Sequence, residues 1–427
     1  MRPARRRDGA DVSTSDTTAD ARPAGTPTRK QDGASATDAH PVRLVVLLGS
    51  MTAFGPFSID MYLPAFPSLS ADLHAGPSAV QLTLTACLIG LAAGQLVAGP
   101  LSDTLGRRRP LLVGLVVYTV LSAACVFAPS VYLLAVLRLA QGFGGAAGIV
   151  IAGAAVRDRY AGVAMARFLS TLMLVNGLAP IVAPVIGGQL LRVVSWRGVF
   201  VVLTGIGLVL LLACLAWFDE SLPPERRRPG SLGDTVRSFG QLLRDRAFAG
   251  YALSGGLAVA AMFAYISGSS FVLQDIFGLS PQLFGLVFGT NAFGIIAVGQ
   301  LNRWLIGRFT PRSLLAVSLC TSTAGGLLLL VAVLAGWGLP AILPALFAVV
   351  ASVGVVLPNT RALAMADYPD RAGTASALLG VLQFAIGGLV APLIGIGGTG
   401  TAVPMAVVIG VLAAAGLIAF SALTTRP

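Results

Sequence analysis

Long runs of apolar residues, separated by short polar connections, cover the chain from about residue 42 onward. Each run is close to the roughly 20 residues that a helix needs to cross the hydrocarbon layer of a membrane. The pattern therefore predicts an all-α membrane protein with twelve transmembrane helices, which we number span 1 to span 12. The predicted spans cover residues 42–66, 78–101, 109–129, 131–157, 163–191, 197–218, 247–275, 281–305, 312–335, 339–365, 372–396 and 401–424.

Composition agrees with this pattern and sets the first 41 residues apart. The chain is 56% hydrophobic and 11% charged, whereas soluble domains carry about 25% charged residues. Residues 1–41 contain almost no large apolar residue, which predicts a disordered cytoplasmic tail. The net charge of +11 comes from short arginine clusters between apolar runs and not from one basic face, so no nucleic acid partner is expected.

Arginine placement predicts the side of the membrane on which each connection lies, because cytoplasmic connections are enriched in Lys and Arg. Among the odd-numbered connections only the fifth carries arginines, Arg192 and Arg197. The even-numbered connections carry Arg107, Arg108, Arg109, Arg157, Arg159, Arg167, Arg226, Arg227, Arg228, Arg237, Arg244, Arg246, Arg303, Arg308, Arg312, Arg361 and Arg371. Both termini are therefore expected in the cytoplasm.

The connection formed by residues 219–246 is the longest one and divides the spans into two sets of six. Similar short sequences occur on the two sides of this connection. GPLSDTLGRR, Gly99 to Arg108, follows span 2, and GQLNRWLIGR, Gly299 to Arg308, follows span 8. Two related halves are typical of transporters whose binding site lies between them. We therefore predict two pseudo-symmetric six-helix bundles, residues 42–218 and 247–427, joined by a cytoplasmic linker loop.

Two charged side chains fall inside predicted spans 1 and 4. Asp60 lies in FSIDMYLPAFP, and Arg138 lies eight residues after the turn at Ser130. Charges inside a membrane are costly and are usually functional. Burial disfavours an ionised carboxylate and a nearby guanidinium favours it, so we predict that Asp60 carries a proton and that Arg138 adjusts its affinity. The alternatives are a helix-capping role for Asp60, beside Pro64 and Pro67, and snorkelling of Arg138 to the outer surface.

The connection after span 2, GPLSDTLGRRRP, is the most specific motif. A purely topogenic loop would explain its arginines but not Asp103 or the glycines. We expect Asp103 to face the start of span 11, near Gly373 and Thr374, because a helix N-terminus attracts an anion. This contact would hold the cytoplasmic side closed. The predicted gating residues are Gly99, Asp103, Gly106, Arg107 and Arg108.

Small residues and prolines mark spans 4 and 5. Glycines such as Gly142 in LRLAQGFGGAAG would let a neighbouring helix approach closely. Pro180 and Pro184, followed by Gly187 and Gly188 in NGLAPIVAPVIGG, predict a bend in span 5. Ordinary packing of small residues is the alternative interpretation for span 5.

These motifs together resemble the major facilitator superfamily, over about residues 42–424. The stretches FSIDMYLPAFP, AVRDRY, SWRGVF, LPNTRALAMA and GTASALLGVLQF resemble its bicyclomycin-resistance-type (Bcr/CflA) branch of drug:proton antiporters. Two positions depart from the family patterns, since Thr104 replaces a frequent basic residue and Ala183 replaces a glycine of the antiporter signature. The matching residues are Gly99, Leu101, Asp103, Gly106, Arg107 and Arg108 after span 2, Arg138, Gln141, Gly142 and Gly144 in span 4, and Pro184, Gly187 and Gly188 in span 5.

The resemblance implies a proton-coupled antiporter that exports small drugs or antibiotics, such as bicyclomycin- or chloramphenicol-like lipophilic compounds, across the bacterial cytoplasmic membrane. A proton-linked exporter of a natural metabolite, such as an amino acid or sugar, is the alternative. The expected partners are a drug, protons and the lipid bilayer, and the protein is expected to act as a monomer without a cofactor. Catalysis is not expected, because the predicted spans contain no histidine, no metal-type cysteine spacing and no nucleotide loop.

Polar and aromatic side chains inside the predicted spans are the candidates for substrate contact. For each of them a hydrogen bond between helices is about as well favoured as contact with a substrate. The candidates are Tyr62, Gln141, Asn176, Tyr265, Asn291, Asn359 and Gln383, together with Gln81 and Gln274.

Overall fold

Helices form nearly all of the regular structure. The computed structural model describes residues 41–227, 232–368, 372–395 and 400–424, and within them the only strand-like pairing is an isolated bridge between Ile306 and Phe309. Residues 1–40 of the predicted tail, together with Arg228 and Arg371, lie outside the described residues, and Pro41 begins the first helix. Twelve of the described helices are long and apolar enough to cross a membrane: Arg43–Asp72, Pro77–Leu105, Arg108–Val126, Val131–Arg159, Gly162–Leu190, Trp196–Trp217, Arg246–Ile276, Pro281–Leu305, Pro311–Leu334, Leu339–Met365, Gly373–Ile394 and Val403–Leu423.

All twelve predicted spans are confirmed. Spans 1 and 2 are longer than predicted, and in span 1 the first helix, Pro41–Asp60, is followed by a single 3₁₀ turn, Leu63–Ala65, and a short helix, Phe66–Asp72. Pro64 and Pro67 lie in the first turns of these two short elements, where proline is tolerated because the backbone N–H that it lacks has no partner within the helix. Asp60 is therefore the last residue of an unbroken helix.

The linker between the two sets of spans was predicted as a loop, and that prediction is wrong for its second part. Residues Leu232–Arg244 form a helix with a pronounced apolar side. Phe239 and Leu242 from this linker helix are buried in one hydrophobic cluster with Phe248 of span 7 and Leu379 of span 11. The 13-residue helix is too short to cross a membrane, and tertiary packing stabilises it.

The even-numbered connections, which carry most of the arginines, meet at one end of the helices, which we call the arginine-rich face. Glu220, after span 6, accepts a hydrogen bond from the backbone of Arg107, before span 3. Arg312, at the start of span 9, donates to the carbonyl of Thr424, after span 12. The opposite end, which includes Ser130 between spans 3 and 4, is called the arginine-poor face.

Close helix contacts hold the first six spans together. Span 2 packs along span 4, and the backbones approach most closely at Gly90 and Gly142. A Cβ on Gly142 would lie 2.3 Å from the carbonyl oxygen of Cys87, and one on Gly90 would lie 2.0 Å from that of Leu139. Only glycine fits at these two positions without moving a helix, as the span-4 motif predicted for Gly142.

Replacing Gly142 with alanine is expected to destabilise the protein by about 1–3 kcal/mol, because the added methyl group meets backbone and not a movable side chain. The midpoint of thermal unfolding in detergent measures this effect. Gly205→Ala is the matched control, because a Cβ at Gly205 has no other atom within 4 Å. Equal midpoints for the two variants would contradict the prediction.

Candidate functional site: a cavity between the two halves

A central cavity of about 910 Å³ lies between the first six and the last six spans. Its walls come from spans 1, 2, 4 and 5 on one side and from spans 7, 8, 10 and 11 on the other. At the arginine-rich face the lining includes Asp103, the exposed Arg157, Phe239 of the linker helix and the exposed Gly373. The cavity therefore reaches the arginine-rich face, and both halves contribute to it.

Direct contacts between the halves close the other end of the cavity. Ser270 of span 7 donates a 2.7 Å hydrogen bond to the carbonyl of Leu63, where the helix of span 1 is interrupted. Gln282 of span 8 donates a 2.8 Å bond to the carbonyl of Gly188 in span 5. These bonds join the halves near the arginine-poor face, so the protein is in a conformation that is open on one side only.

Asp60 lies inside this cavity. Its residue surface is only 4% exposed, and it lines the cavity as the last residue of the first helix. Tyr265 of span 7 lines the same cavity. In the part of the chain that the structure describes, the carboxyl group makes no salt bridge. The C-terminal end of a helix also carries partial negative charge, which disfavours a second negative charge there.

Arg138 is fully buried, but it does not pair with Asp60. Its guanidinium donates a 2.8 Å hydrogen bond to the backbone carbonyl of Ser58 and a 2.6 Å bond to Gln141, and it lies 4.8 Å above the ring of Tyr62. Residues two apart on a helix point about 200° away from each other. Ser58 and Asp60 therefore occupy opposite sides of the first helix, and Arg138 makes no salt bridge with Asp60 among the described residues.

Gln141 connects Arg138 to a wider polar network in the first half. Its amide nitrogen donates a 2.6 Å bond to the hydroxyl of Ser122, and the hydroxyls of Ser58 and Tyr118 are 2.7 Å apart. Arg138 is therefore held through a backbone carbonyl, an amide and aromatic rings. Its charge stays inside the first half and does not enter the cavity.

The gating motif forms a compact charged cluster at the arginine-rich face. Arg107 makes salt bridges of 2.5 Å to Asp103 and 2.9 Å to Asp158. Gly106 has a positive φ of 89°, a backbone conformation that favours glycine. The expected contact between Asp103 and the start of span 11 is not made here, because the two line the open mouth of the cavity and a Cβ on Gly373 would have no neighbour within 4 Å.

Glu220 completes this cluster, and it was not singled out from the sequence. Partial burial would raise the pKa of its carboxyl, but hydrogen bonds from the backbone N–H groups of Leu222, Arg107 and Arg108 outweigh it and lower the pKa. Two of these donors belong to the otherwise unpaired N-terminus of span 3, where an acceptor stabilises a helix.

Removal of this acceptor in Glu220→Ala is expected to cost about 1 kcal/mol of stability, as loss of a helix cap does. The thermal unfolding midpoint in detergent is the measurement. Glu225→Ala, in the same connection and exposed, is the control. If Glu225→Ala lowers the midpoint as much as Glu220→Ala, the capping role is wrong.

Comparison with known proteins agrees with this architecture. A model of the Major Facilitator Superfamily matches residues 48–392. The chain belongs to the major facilitator superfamily. It is 43% identical over 387 residues to YdgK of Bacillus subtilis, named as an uncharacterized MFS-type transporter, with 89% of this chain and 95% of YdgK covered.

Two relatives named for drug resistance are less similar to this chain than YdgK is. A protein of Haemophilus influenzae named as a bicyclomycin resistance protein homolog is 32% identical, with 90% of this chain and 96% of the relative covered. The multidrug resistance protein MdtL of Klebsiella pneumoniae is 28% identical, with 77% of this chain and 82% of MdtL covered.

Solved superfamily structures share the fold. The xylose transporter XylE of E. coli, in a partially occluded inward open conformation, has a TM-score of 0.69 at 12% identity, covering 89% of this chain and 97% of XylE. A bacterial homolog of the lysosomal transporter Spinster, in an inward-facing and unoccupied conformation, has a TM-score of 0.67 at 17% identity, covering 84% of this chain and 83% of that one. At these identities the likeness shows the fold alone.

The structure divides the predicted cavity residues of this superfamily member into two groups. Asn176, Tyr265 and Gln383 line the cavity. Four others do not line it, and each makes a hydrogen bond inside one half: Tyr62 bonds the hydroxyl of Thr83, Gln141 bonds Arg138, Asn291 donates to the hydroxyl of Tyr265 at 2.9 Å, and Asn359 donates to the side chain of Asn302 at 2.8 Å. Their polar groups are satisfied by neighbouring helices.

Two further candidates and the span-5 motif lie at the interface between the halves. Gln81 donates to the carbonyl of Ser267 and Gln274 to that of Pro64. Pro180 lines the cavity, whereas the other span-5 residues contact spans 1 and 8. A Cβ on Gly187 would lie 2.0 Å from the carbonyl oxygen of Met61, one on Gly188 would lie 2.5 Å from that of Pro281, and the carbonyl of Pro184 meets Gly285.

Several polar cavity residues were missed from the sequence, and two of them carry long polar side chains. Gln95 of span 2 and Arg361 of span 10 both line the cavity. Arg361 was assigned only to the positive connections, although it lies four residues inside the predicted end of span 10. That depth was the signal that could have identified it.

Proposed function

We propose that this protein is a proton-coupled antiporter that exports small drugs or antibiotics across the bacterial cytoplasmic membrane. The observation that carries the proposal is the placement of Asp60, an acidic side chain without a salt bridge among the described residues, in a cavity shared by two six-helix halves. An ionisable group inside a membrane marks an ion or substrate pathway by default. The relatives named for bicyclomycin and multidrug resistance support drugs as the cargo.

The arginine-rich face is, in this proposal, the cytoplasmic face. Positive charge is retained on the cytoplasmic side of membrane proteins, and the arginines cluster on one face. The conformation described above is then inward-facing, ready to receive a drug from the cytoplasm. Both termini would lie in the cytoplasm.

Alternating access would move the two halves, residues 42–218 and 247–427, against each other around the cavity. The bonds from Ser270 to Leu63 and from Gln282 to Gly188 would break as the outer side opens. Asp103 would then meet the start of span 11 as the cytoplasmic side closes. The cavity is formed by one chain, so a monomer suffices for this cycle.

Asp60 would exchange a proton for a drug. In the outward-facing state the carboxyl group would accept a proton from the outside. After the switch inward, a drug entering the cavity would favour the ionised carboxylate and release the proton to the cytoplasm. Arg138 would act on this step through the first helix, because it bonds the carbonyl of Ser58 and lies over Tyr62.

The cavity lining indicates the class of drug. Most of it is apolar, and Phe263, Phe288 and Phe384 add aromatic surface around Asp60 and Tyr265. Such a surface suits lipophilic compounds that carry a donor or a basic group for the carboxylate.

Drug susceptibility of a bacterial host that lacks its own efflux pumps tests this proposal directly. Expression of the protein is expected to raise resistance to some lipophilic antibiotics, and a protonophore is expected to abolish the gain. A panel that includes amino acids and sugars separates drug export from metabolite export. Resistance that persists after the proton gradient collapses would contradict proton coupling.

A further inference from the structure

Arg361 is a second charged side chain in the cavity, on the wall opposite Asp60. It lies in span 10, lines the cavity and is only partly exposed. One terminal nitrogen donates a long, 3.4 Å hydrogen bond to the side-chain oxygen of Gln383 in span 11. Its Nε atom is buried and has no hydrogen-bond partner in the described part of the chain. Most of the donor capacity of this guanidinium is therefore unused.

Four other arginines of the arginine-rich face bond acceptors of the protein. Arg107 pairs with two carboxylates. Arg108, Arg246 and Arg312 donate to backbone carbonyls at connections or helix ends, at 2.8–2.9 Å. A basic residue that only fixes membrane topology lies at the interface with its charge in water. Arg361 instead turns its charge toward the cavity.

No carboxylate of the cavity lining neutralises Arg361 in the described structure. The acidic lining residues are Asp60 and Asp103, and Asp103 is paired with Arg107. The other basic lining residue, Arg157, is exposed, and its guanidinium lies 3.8 Å from the position of a Cβ on Gly153 of its own helix. A partly desolvated guanidinium without an anionic partner is costly, and an anion delivered by a ligand would offset that cost.

We propose that Arg361, assisted by Gln383, forms a binding subsite for a carboxylate on the transported compound. Together with Asp60, it makes the cavity suited to zwitterionic aromatic compounds, with the acidic group at Arg361, a planar body against Tyr265 and Phe288, and a basic group at Asp60. Tyr265 and Phe288 are stacked, with centroids 5.3 Å apart. This inference rests on the proposed export function and narrows its substrate class.

Two fluorescent dyes with the same planar ring system allow a matched test. Rhodamine 110 carries a free carboxylate, and rhodamine 123 is its methyl ester. Fluorescence anisotropy with detergent-purified protein measures the affinity for each dye without any proton gradient. Arg361→Gln is expected to weaken rhodamine 110 binding by about tenfold or more, since a charge-assisted bond is lost, and to change rhodamine 123 binding by less than about twofold.

Two further variants control for folding and for charge. Arg361→Lys keeps the charge but loses the fork geometry, so it is expected to bind rhodamine 110 with an affinity between those of the wild type and Arg361→Gln. Arg303→Gln removes an exposed charge that lies outside the cavity lining, and it is expected to match the wild type for both dyes. All variants are compared as monodisperse protein by size-exclusion chromatography.

Equal weakening of both dyes in Arg361→Gln, or no weakening of either, would overturn the carboxylate subsite. Failure of the wild type to bind rhodamine 110 would overturn it as well. The outcome is separable from that of the proposed function. If binding of rhodamine 110 depends on Arg361 but no proton-driven export is found, the subsite stands and the export proposal falls. If proton-driven export is intact but the affinity for rhodamine 110 does not depend on Arg361, the export proposal stands and the subsite falls.

Discussion

Asp60→Asn is expected to abolish proton-driven export, reducing drug resistance in a pump-deficient host to that of cells without the protein. Asparagine keeps the size of the side chain but cannot bind and release a proton in the accessible pH range. The residue is buried in the cavity and has no salt bridge among the described residues. Its replacement therefore removes the titrating group while leaving known ion pairs intact.

Proteoliposomes give the quantitative measurement for Asp60. A pH gradient imposed across the membrane should drive drug accumulation against its concentration gradient with wild-type protein and not with Asp60→Asn. Drug exchange down a gradient should persist in the variant, because the binding cavity remains. Continued uphill transport by Asp60→Asn would show that another group carries the proton.

Asp275→Asn is the matched control for the same chemical change. Asp275 lies at the end of span 7, is exposed and does not line the cavity. Its replacement is expected to leave proton-driven transport at the wild-type level. Loss of transport in both variants would indicate a general need for negative charge instead of a specific proton site.

The contrast between Asp60 and Arg138 shows what hydropathy can predict and what it cannot. Counting residues along a span gives depth, because each helical residue advances about 1.5 Å. Counting residues in this way predicted that Asp60 and Arg138 both lie within the membrane. The lengths of the apolar runs likewise predicted all twelve spans. Depth does not say which helix face meets which neighbour. Asp60 lines the cavity, whereas Ser58 and Tyr62, two residues to either side, face Arg138.

The same reason explains the mixed result for the predicted cavity residues. A polar side chain in an apolar run must find a partner, and the sequence does not tell whether that partner is a ligand or another helix. Asn359 donates a hydrogen bond to Asn302, and Asn291 donates one to Tyr265. Arg361 was overlooked because the positive-inside pattern already accounted for it. A charge can satisfy that pattern and still line the cavity, so the pattern alone does not assign its role.

Arg138→Lys is expected to lose proton-driven export although it keeps the positive charge. The guanidinium simultaneously bonds the Ser58 carbonyl and the Gln141 amide and covers the ring of Tyr62. Lysine presents its donors from a single nitrogen and cannot reproduce that planar fork. The first helix would then lose the contact that fixes the backbone two residues before Asp60.

Proton release from purified protein on addition of a drug measures this effect at the proton site itself. Wild-type protein should release protons over a defined pH range, Asp60→Asn should release none, and Arg138→Lys should release them over a shifted range. A role in folding alone would leave that pH range unchanged. Arg303→Lys, which alters an exposed arginine bonded to Gln300, should behave as the wild type. Full export by Arg138→Lys would mean that charge alone is needed at this position, and that Arg138 acts on Asp60 through space instead of through the backbone of the first helix.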